Sequence, residues 1–179
     1  MRRALGCAAL ALALLVPAAT ANAETGTAKL RLGKPAARAF KAQSAAVRGL
    51  KPAVRRGRAV SLPVRDGQVG SIARVRLAGG VQIAVRKGKR RRNARLRAVA
   101  MTIRAGRALL TAKLAGNQYT LGGLRGVEEI PFNPITGEID ASGQLRLGAA
   151  LRRELRSRLR LRRVPKTLGR LRVRGTVEI

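Results

Sequence analysis

Along much of this chain an aliphatic residue alternates with an arginine, and that period of two restricts what the chain can fold into. In Ala73-Arg74-Val75-Arg76-Leu77-Ala78 and Val81-Gln82-Ile83-Ala84-Val85-Arg86 an extended backbone puts most apolar side chains on one face and polar ones on the other. Gly79-Gly80 between them has the length and chemistry of a two-residue hairpin turn. Val99, Met101 and Ile103 alternate in the same way, as do Leu110, Ala112 and Leu114, with Gly106 between the two runs. Tyr119-Thr120-Leu121 follows Gly116-Asn117. At the end of the chain Leu171, Val173, Val177 and Ile179 share one face, and Arg172, Arg174 and Glu178 the other. Short strands with glycine-rich turns predict a mostly β chain, an antiparallel β-sandwich or barrel-like single domain.

Two segments leave that period and predict two short α-helices. Residues 34–47 open with Pro35 in a first-turn position, carry Ala36, Ala39, Phe40 and Val47 as an apolar stripe, and end at Gly49 as a C′ glycine. Residues 148–161 follow Leu147 and space Leu151, Leu155 and Leu159 four apart among arginines, with Pro165 as the stop. Such a helix commonly caps one mouth of a β domain with its arginines in solvent; its rival role is a cationic helix lying on a membrane surface.

The amino terminus reads as an export signal. Arg2-Arg3 precede a short apolar run over residues 4–16, Pro17 interrupts it, and Ala21-Asn22-Ala23 forms an A-x-A cleavage site before Glu24. The run is too short for a stable membrane span. A twin-arginine signal lacks its surrounding pattern, and a lipoprotein box at Leu5-Gly6-Cys7 comes before the apolar stretch instead of after it. The division is therefore a signal peptide at residues 1–23 and one domain at residues 24–179, secreted or held at the extracytoplasmic cell envelope. Cleavage removes Cys7, the single cysteine, so the core alone must hold the domain together.

Composition closes several chemistries. The 179 residues include no histidine, which excludes a Ser-His-Asp triad and an imidazole metal site. Aromatics are Phe40, Phe132 and Tyr119, with no tryptophan, too few for a platform that stacks bases or sugars. The carboxylates are Glu24, Asp66, Glu128, Glu129, Glu138, Asp140, Glu154 and Glu178. Glu138 and Asp140 would share a strand face, and paired carboxylates serve glycosidases and calcium sites, but no D-x-D-x-D-G loop is present. Among so many arginines these acids read as ion-pair partners. Gly122-Gly123 lacks the G-K-S/T that completes a phosphate loop. No nucleophile–base pair is visible, so the expectation is a protein without enzymatic activity, without a metal and without a cofactor.

The order of elements is similar to that of a known family. A leading strand at residues 28–32 and a proline-started helix precede Val60-Ser61-Leu62-Pro63-Val64 with Gly67. Then follow the Gly79-Gly80-Val81 phrase, Leu110-Thr111-Ala112-Lys113-Leu114-Ala115-Gly116, the late Gly148-Ala149-Ala150-Leu151 helix and a closing β run. This resembles the secreted HtaA-domain proteins of actinobacteria over nearly all of residues 24–179. The resemblance implies an extracytoplasmic, mostly β domain. It also implies haem binding in some members, through a tyrosine ligand with a histidine nearby. Here no histidine exists, and the early segment that holds the family's tyrosine has only Phe40. Tyr119 is the one side chain able to ligate iron as a phenolate, and haem through Tyr119 is the alternative cofactor.

Charge is the strongest functional signal. The chain has 39 Lys+Arg against 8 Asp+Glu, a formal net charge of +31. A compact domain with that excess attracts polyanions. The expected partners are anionic envelope polymers or lipids, with haem as the alternative ligand; nucleic acid is not expected as a physiological partner. The densest expected patch is Lys87, Lys89, Arg90, Arg91 and Arg92, and the second is Arg152, Arg153, Arg156 and Arg160 on the late helix. Arginines alternating along strands are otherwise expected to coat the surface diffusely, without forming one groove.

Overall fold

The computed structural model describes residues 26–68, 72–104, 107–125 and 136–176. Residues 1–23, read above as a signal peptide, and Gly106, Phe132, Glu128, Glu129 and Glu178 lie outside the described residues. In chain order the elements are β1 (Gly26–Leu32), α1 (Lys34–Lys41), β2 (Ala45–Leu50), β3 (Val54–Arg56), β4 (Ala59–Gln68), β5 (Ala73–Leu77), β6 (Gly80–Lys87), β7 (Arg90–Arg104), β8 (Arg107–Leu114), β9 (Asn117–Arg125), β10 (Glu138–Leu147), α2 (Ala149–Leu159) and β11 (Thr167–Thr176). Eight strands, β7-β5-β4-β1-β11-β10-β9-β8, close on themselves when β8 pairs back onto β7. Every pairing is antiparallel. β6 and β2 extend the sheet beyond the ring, and β3 pairs only with β4. The expected mostly β, antiparallel, barrel-like domain with two helices is thus a closed barrel with additional strands.

The alternation becomes an inside and an outside. Ala28, Leu30, Val60, Leu62, Val64, Val75, Met101, Leu110, Ala141, Leu171 and Val173 are buried, while the residues between them on β1, β5 and β11 face out. The interior is filled: the space left among Leu30, Leu62, Leu96, Leu110, Leu155 and Leu171 is about 30 Å³. That is roughly the room of a single water molecule, and it is wholly apolar, so the barrel centre is a packed core.

Gly79-Gly80 does not turn a hairpin. β5 and β6 both run antiparallel to β7, Ala73 opposite Ile103 and Lys87 opposite Arg90, so residues 73–87 form one long strand with a bulge. Leu77-Ala78-Gly79 lie opposite Ala98-Val99, and Ala98 itself has φ 48°. The glycines serve close approach: a Cβ on Gly79, at φ +81°, would sit 2.4 Å from the Leu50 carbonyl oxygen, and one on Gly80 would sit 2.1 Å from that of Leu96. The hairpin turn is Gly88-Lys89 instead.

The first helix is shorter than its apolar stripe suggested. α1 stops at Lys41 with Ala42 as its cap, Ser44 takes φ 53°, and Ala45–Leu50 becomes β2 against β6. Gly49 is a strand residue, where a Cβ would sit 2.4 Å from the Ala53 carbonyl oxygen, and does not cap the helix. Strand pairing overrode a helical pattern that Ala-rich sequence supports equally well. The second helix keeps its register. It runs from an N-cap at Gly148 to a left-handed cap at Arg160, short of Pro165. Leu151, Leu155 and Leu159 are fully buried, and the helix packs over β7 and β9 at one mouth of the barrel. Gln43 ties the chain beyond it to α1: its Nε2 donates to the carbonyls of Ala39 and Arg163, and its Oε1 accepts from the Arg163 N–H.

Because Leu155 is both the centre of the helix stripe and part of the barrel core, Leu155→Ala is expected to lower unfolding stability by about 2–5 kcal/mol. Leu109→Ala, on the exposed face of β8, should change it little. Urea denaturation of the two variants measures both.

Candidate anion-binding surfaces

Lys87, Lys89, Arg90, Arg91 and Arg92 were expected to form one patch, and the pleat divides them. Lys87 is opposite Arg90 and Val85 opposite Arg92, so these four share a face; Arg86 and Arg91 pair on the other. Lys89 lies in the turn. Lys87, Arg90 and Arg92 face the end of α2, where they line a crevice of about 230 Å³ with Val85, Leu159 and Arg160. The structure therefore joins part of the first expected patch to one residue of the second. Arg152, Arg153 and Arg156 stay on α2 outside that crevice, Arg153 and Arg156 exposed and Arg152 half-buried.

A larger cationic surface joins segments remote in sequence. β3, β4, β1, β11, β10 and β9 are neighbours, and directly opposed residues share a face of the sheet. On the outer face one cross-strand row reads Arg56, Ala59, Arg31, Arg170, Gln144 and Arg125. The next reads Val54, Ser61, Lys29, Arg172 and Ser142. Lys29, Arg31, Arg56, Arg58, Arg170 and Arg172 line a cleft of about 500 Å³. Arg31, Arg58 and Arg170 continue into a second cleft of about 920 Å³, which reaches Arg125, Gln144 and the start of α1. Arg31 directly opposes Arg170, and Lys29 opposes Arg172. Like charges so placed are destabilising in a sheet. Arg172 is compensated by Asp140, but among the described residues the Arg31–Arg170 pair is tolerated without a carboxylate beside it.

Asp140 closes one edge of this face. Arg172 donates through Nε to Oδ1 at 3.1 Å and through Nη2 to Oδ2 at 2.8 Å, and Arg174 Nε donates to Oδ2 at 2.8 Å. The Arg172 hydrogen bonds hold the Asp140 carboxyl below its usual value, against the opposing effect of partial burial, and Arg174 adds to the lowering. The same contact raises Arg172. Glu138 shares the outer face of β10 with Asp140, as expected. Other described acids also meet arginine: Glu154 pairs with Arg158 at 3.0 Å and Asp66 with Arg76 at 3.6 Å. Among the described residues no three His, Cys, Asp or Glu side chains converge as a metal site would require.

Tyr119 is half-buried on β9, opposite Ala112, and packs against the core beside the Ala115-Gly116 turn. It lines none of the three clefts just described.

Searching solved structures places this architecture. The chain is similar to the crystal structure of the C-terminal domain of HtaA from Corynebacterium glutamicum, with a TM-score of 0.62 over 85% of this chain and 97% of that one. The fold is HtaA-like. Sequence identity is 11%, so the likeness is one of fold. No family model matches the sequence, and no curated protein matches it. No helix among the described residues is long and apolar enough to cross a membrane.

The sheet-face cations were not legible as a cluster in the sequence because Lys29, Arg56 and Arg170 belong to three separate strands. The available signal was the alternation of β1 with that of β11, which only pairing combines.

The Asp140 contacts have a pH consequence. The carboxyl is lower in the folded chain than its ordinary 3.8, so its contribution is fully present above that value and is lost as pH falls through the lowered one. The urea midpoint should therefore drop between pH 5 and pH 2.5, and Asp140→Asn should reduce the part of that drop due to this network.

Proposed function

We propose that the chain is a non-enzymatic binding module for anionic ligands, exported to the cell envelope, with the outer face of β4, β1 and β11 as its site. One observation carries this reading: Lys29, Arg31, Arg56, Arg58, Arg170 and Arg172 converge on one cleft. Guanidinium groups suit the oxygens of phosphate or carboxylate, which they bind with paired hydrogen bonds. A bound anion would also relieve the repulsion between Arg31 and Arg170. The signal-peptide layout of residues 1–23 supports a site of action outside the cytoplasm. There the available polyanions are envelope polymers and anionic lipids.

Binding of inorganic polyphosphate to the full chain, followed by fluorescence anisotropy of a labelled probe, tests the reading. Six cations engaged on a flexible polyanion should cost about 10²–10³-fold in affinity between roughly 50 and 200 mM salt. Arg31→Glu with Arg170→Glu should weaken binding at least tenfold and flatten the salt slope, while Lys89→Glu should have a small effect. Affinity independent of salt and of these substitutions would refute the proposal.

The HtaA-like fold favours a second reading, haem binding. Tyr119 is the phenolate candidate for it, although the space among the described core residues of the barrel, about 30 Å³, is far too small for haem. A haemin titration separates the two. A saturable one-to-one Soret shift that disappears in Tyr119→Phe would support haem ligation. A weak, salt-sensitive response equal in both proteins, which the first reading expects, would assign haemin to the cationic surface.

A further inference from the structure

We propose that the sheet face holds a single extended, phosphate-bearing linear polyanion lying across the strands, and not a set of separate small anions; this rests on the anion-binding reading above. The strand registers carry the inference. Arg56, Arg31, Arg170 and Arg125 fall in one continuous row from β3 to β9, interrupted only by the neutral Ala59 and Gln144. Neighbouring strands are about 4.8 Å apart, so the row follows the barrel surface for roughly 24 Å. Lys29 and Arg172 form a second rank beside its centre. The two clefts along this path share Arg31, Arg58 and Arg170, so the cationic groove is continuous from Arg56 to Arg125. Asp140, two residues along β10 from Ser142, lies off the row and engages Arg172 and Arg174.

The chemistry of the walls selects the class of polymer. A nucleic-acid or glycan groove grips rings by stacking them on aromatic side chains. Among the described aromatics Phe40 is buried and Tyr119 packs against the core on the inward face of β9, opposite Ala112. The groove offers guanidinium forks, the ammonium groups of Lys29 and Lys34, and small polar side chains such as Ser61, Ser142 and Gln144. It therefore recognises charged oxygens repeated along a flexible backbone, the property of a ring-free chain of phosphates.

Ligand length is the deciding variable. The full chain would be titrated by calorimetry with inorganic phosphate, tripolyphosphate and longer linear polyphosphates, at matched total phosphate and low salt. Affinity per phosphate should climb with length until the ligand spans about 24 Å, then level off. Arg56→Ala with Arg125→Ala, at the two ends of the row, should weaken binding of the long chain about tenfold more than binding of tripolyphosphate. Arg31→Ala with Arg170→Ala should weaken both. Equal affinity per phosphate at every length, or no effect of the end substitutions on the long chain, would overturn the single-polymer arrangement while leaving anion binding in place. Oligothymidylate binding more tightly than polyphosphate of equal charge would overturn recognition by phosphate alone. Salt-dependent binding of no probe would remove the anion-binding reading itself. Circular dichroism and the urea midpoint of each variant establish that it is folded, so a lost signal is a lost contact.

Discussion

Closing an antiparallel ring around an aliphatic core settles the inside and the outside of this protein together. Each strand that donates a leucine or valine to the interior must present its intervening residue to solvent, because successive side chains point to opposite faces. In β1 and β11 those intervening residues are Lys29, Arg31, Arg170, Arg172 and Arg174. The ring then sets β1 beside β11, and charges that are far apart along the chain become direct neighbours. The cationic face follows from the hydrogen-bond register, with no loop or special motif needed to assemble it.

That arrangement has an energetic tension. Burial of Leu30, Val60, Leu62, Leu171 and Val173 beneath the face favours the folded chain, while the opposed cations above them repel one another. Among the described residues only Asp140 intrudes from the side, and its two oxygens engage Arg172 and Arg174. The centre of the row, Arg31 against Arg170, keeps its repulsion. Sequences consistent at every other level commonly break a local rule at a site that meets a ligand, and this pair breaks the rule of cross-strand charge pairing. The crevice under α2 is different in kind. There Lys87, Arg90, Arg92 and Arg160 surround Val85 and Leu159, so apolar surface takes part, and the site is half the size of the sheet-face cleft or less.

Much of the fold was legible because period-two patterns are local. β5, β6, β7, β8, β9 and β11 all contain runs where alternation predicted strands, and α2 keeps the four-residue leucine spacing down to its buried face. The failures have local causes too. Ala45-Ala46-Val47 suits a helix as well as a strand, so β2 was merged with α1. β10 alternates Ile139, Ala141, Gly143, Leu145 and Leu147, and its small central residues mute the apolar signal. Gly79-Gly80 has hairpin chemistry, yet bulge and turn make the same demand for glycine, and only the partner strand distinguishes them.

The site was less legible than the fold. Sequence alone determined the class of surface: an excess of arginine, few acids, almost no aromatics and an alternation that had to expose the charge. Those properties belong to composition and to the geometry of a single strand. It could rank patches only by density along the chain, which selected residues 87–92. Tertiary structure decided which arginines meet. Pleating divided the 87–92 cluster between two faces, and ring closure set Arg56, Arg31, Arg170 and Arg125 in line. The physical reason is that a strand's own sequence specifies which side chains face outward, whereas the identity of its neighbours depends on register and closure, which every strand of the barrel sets jointly.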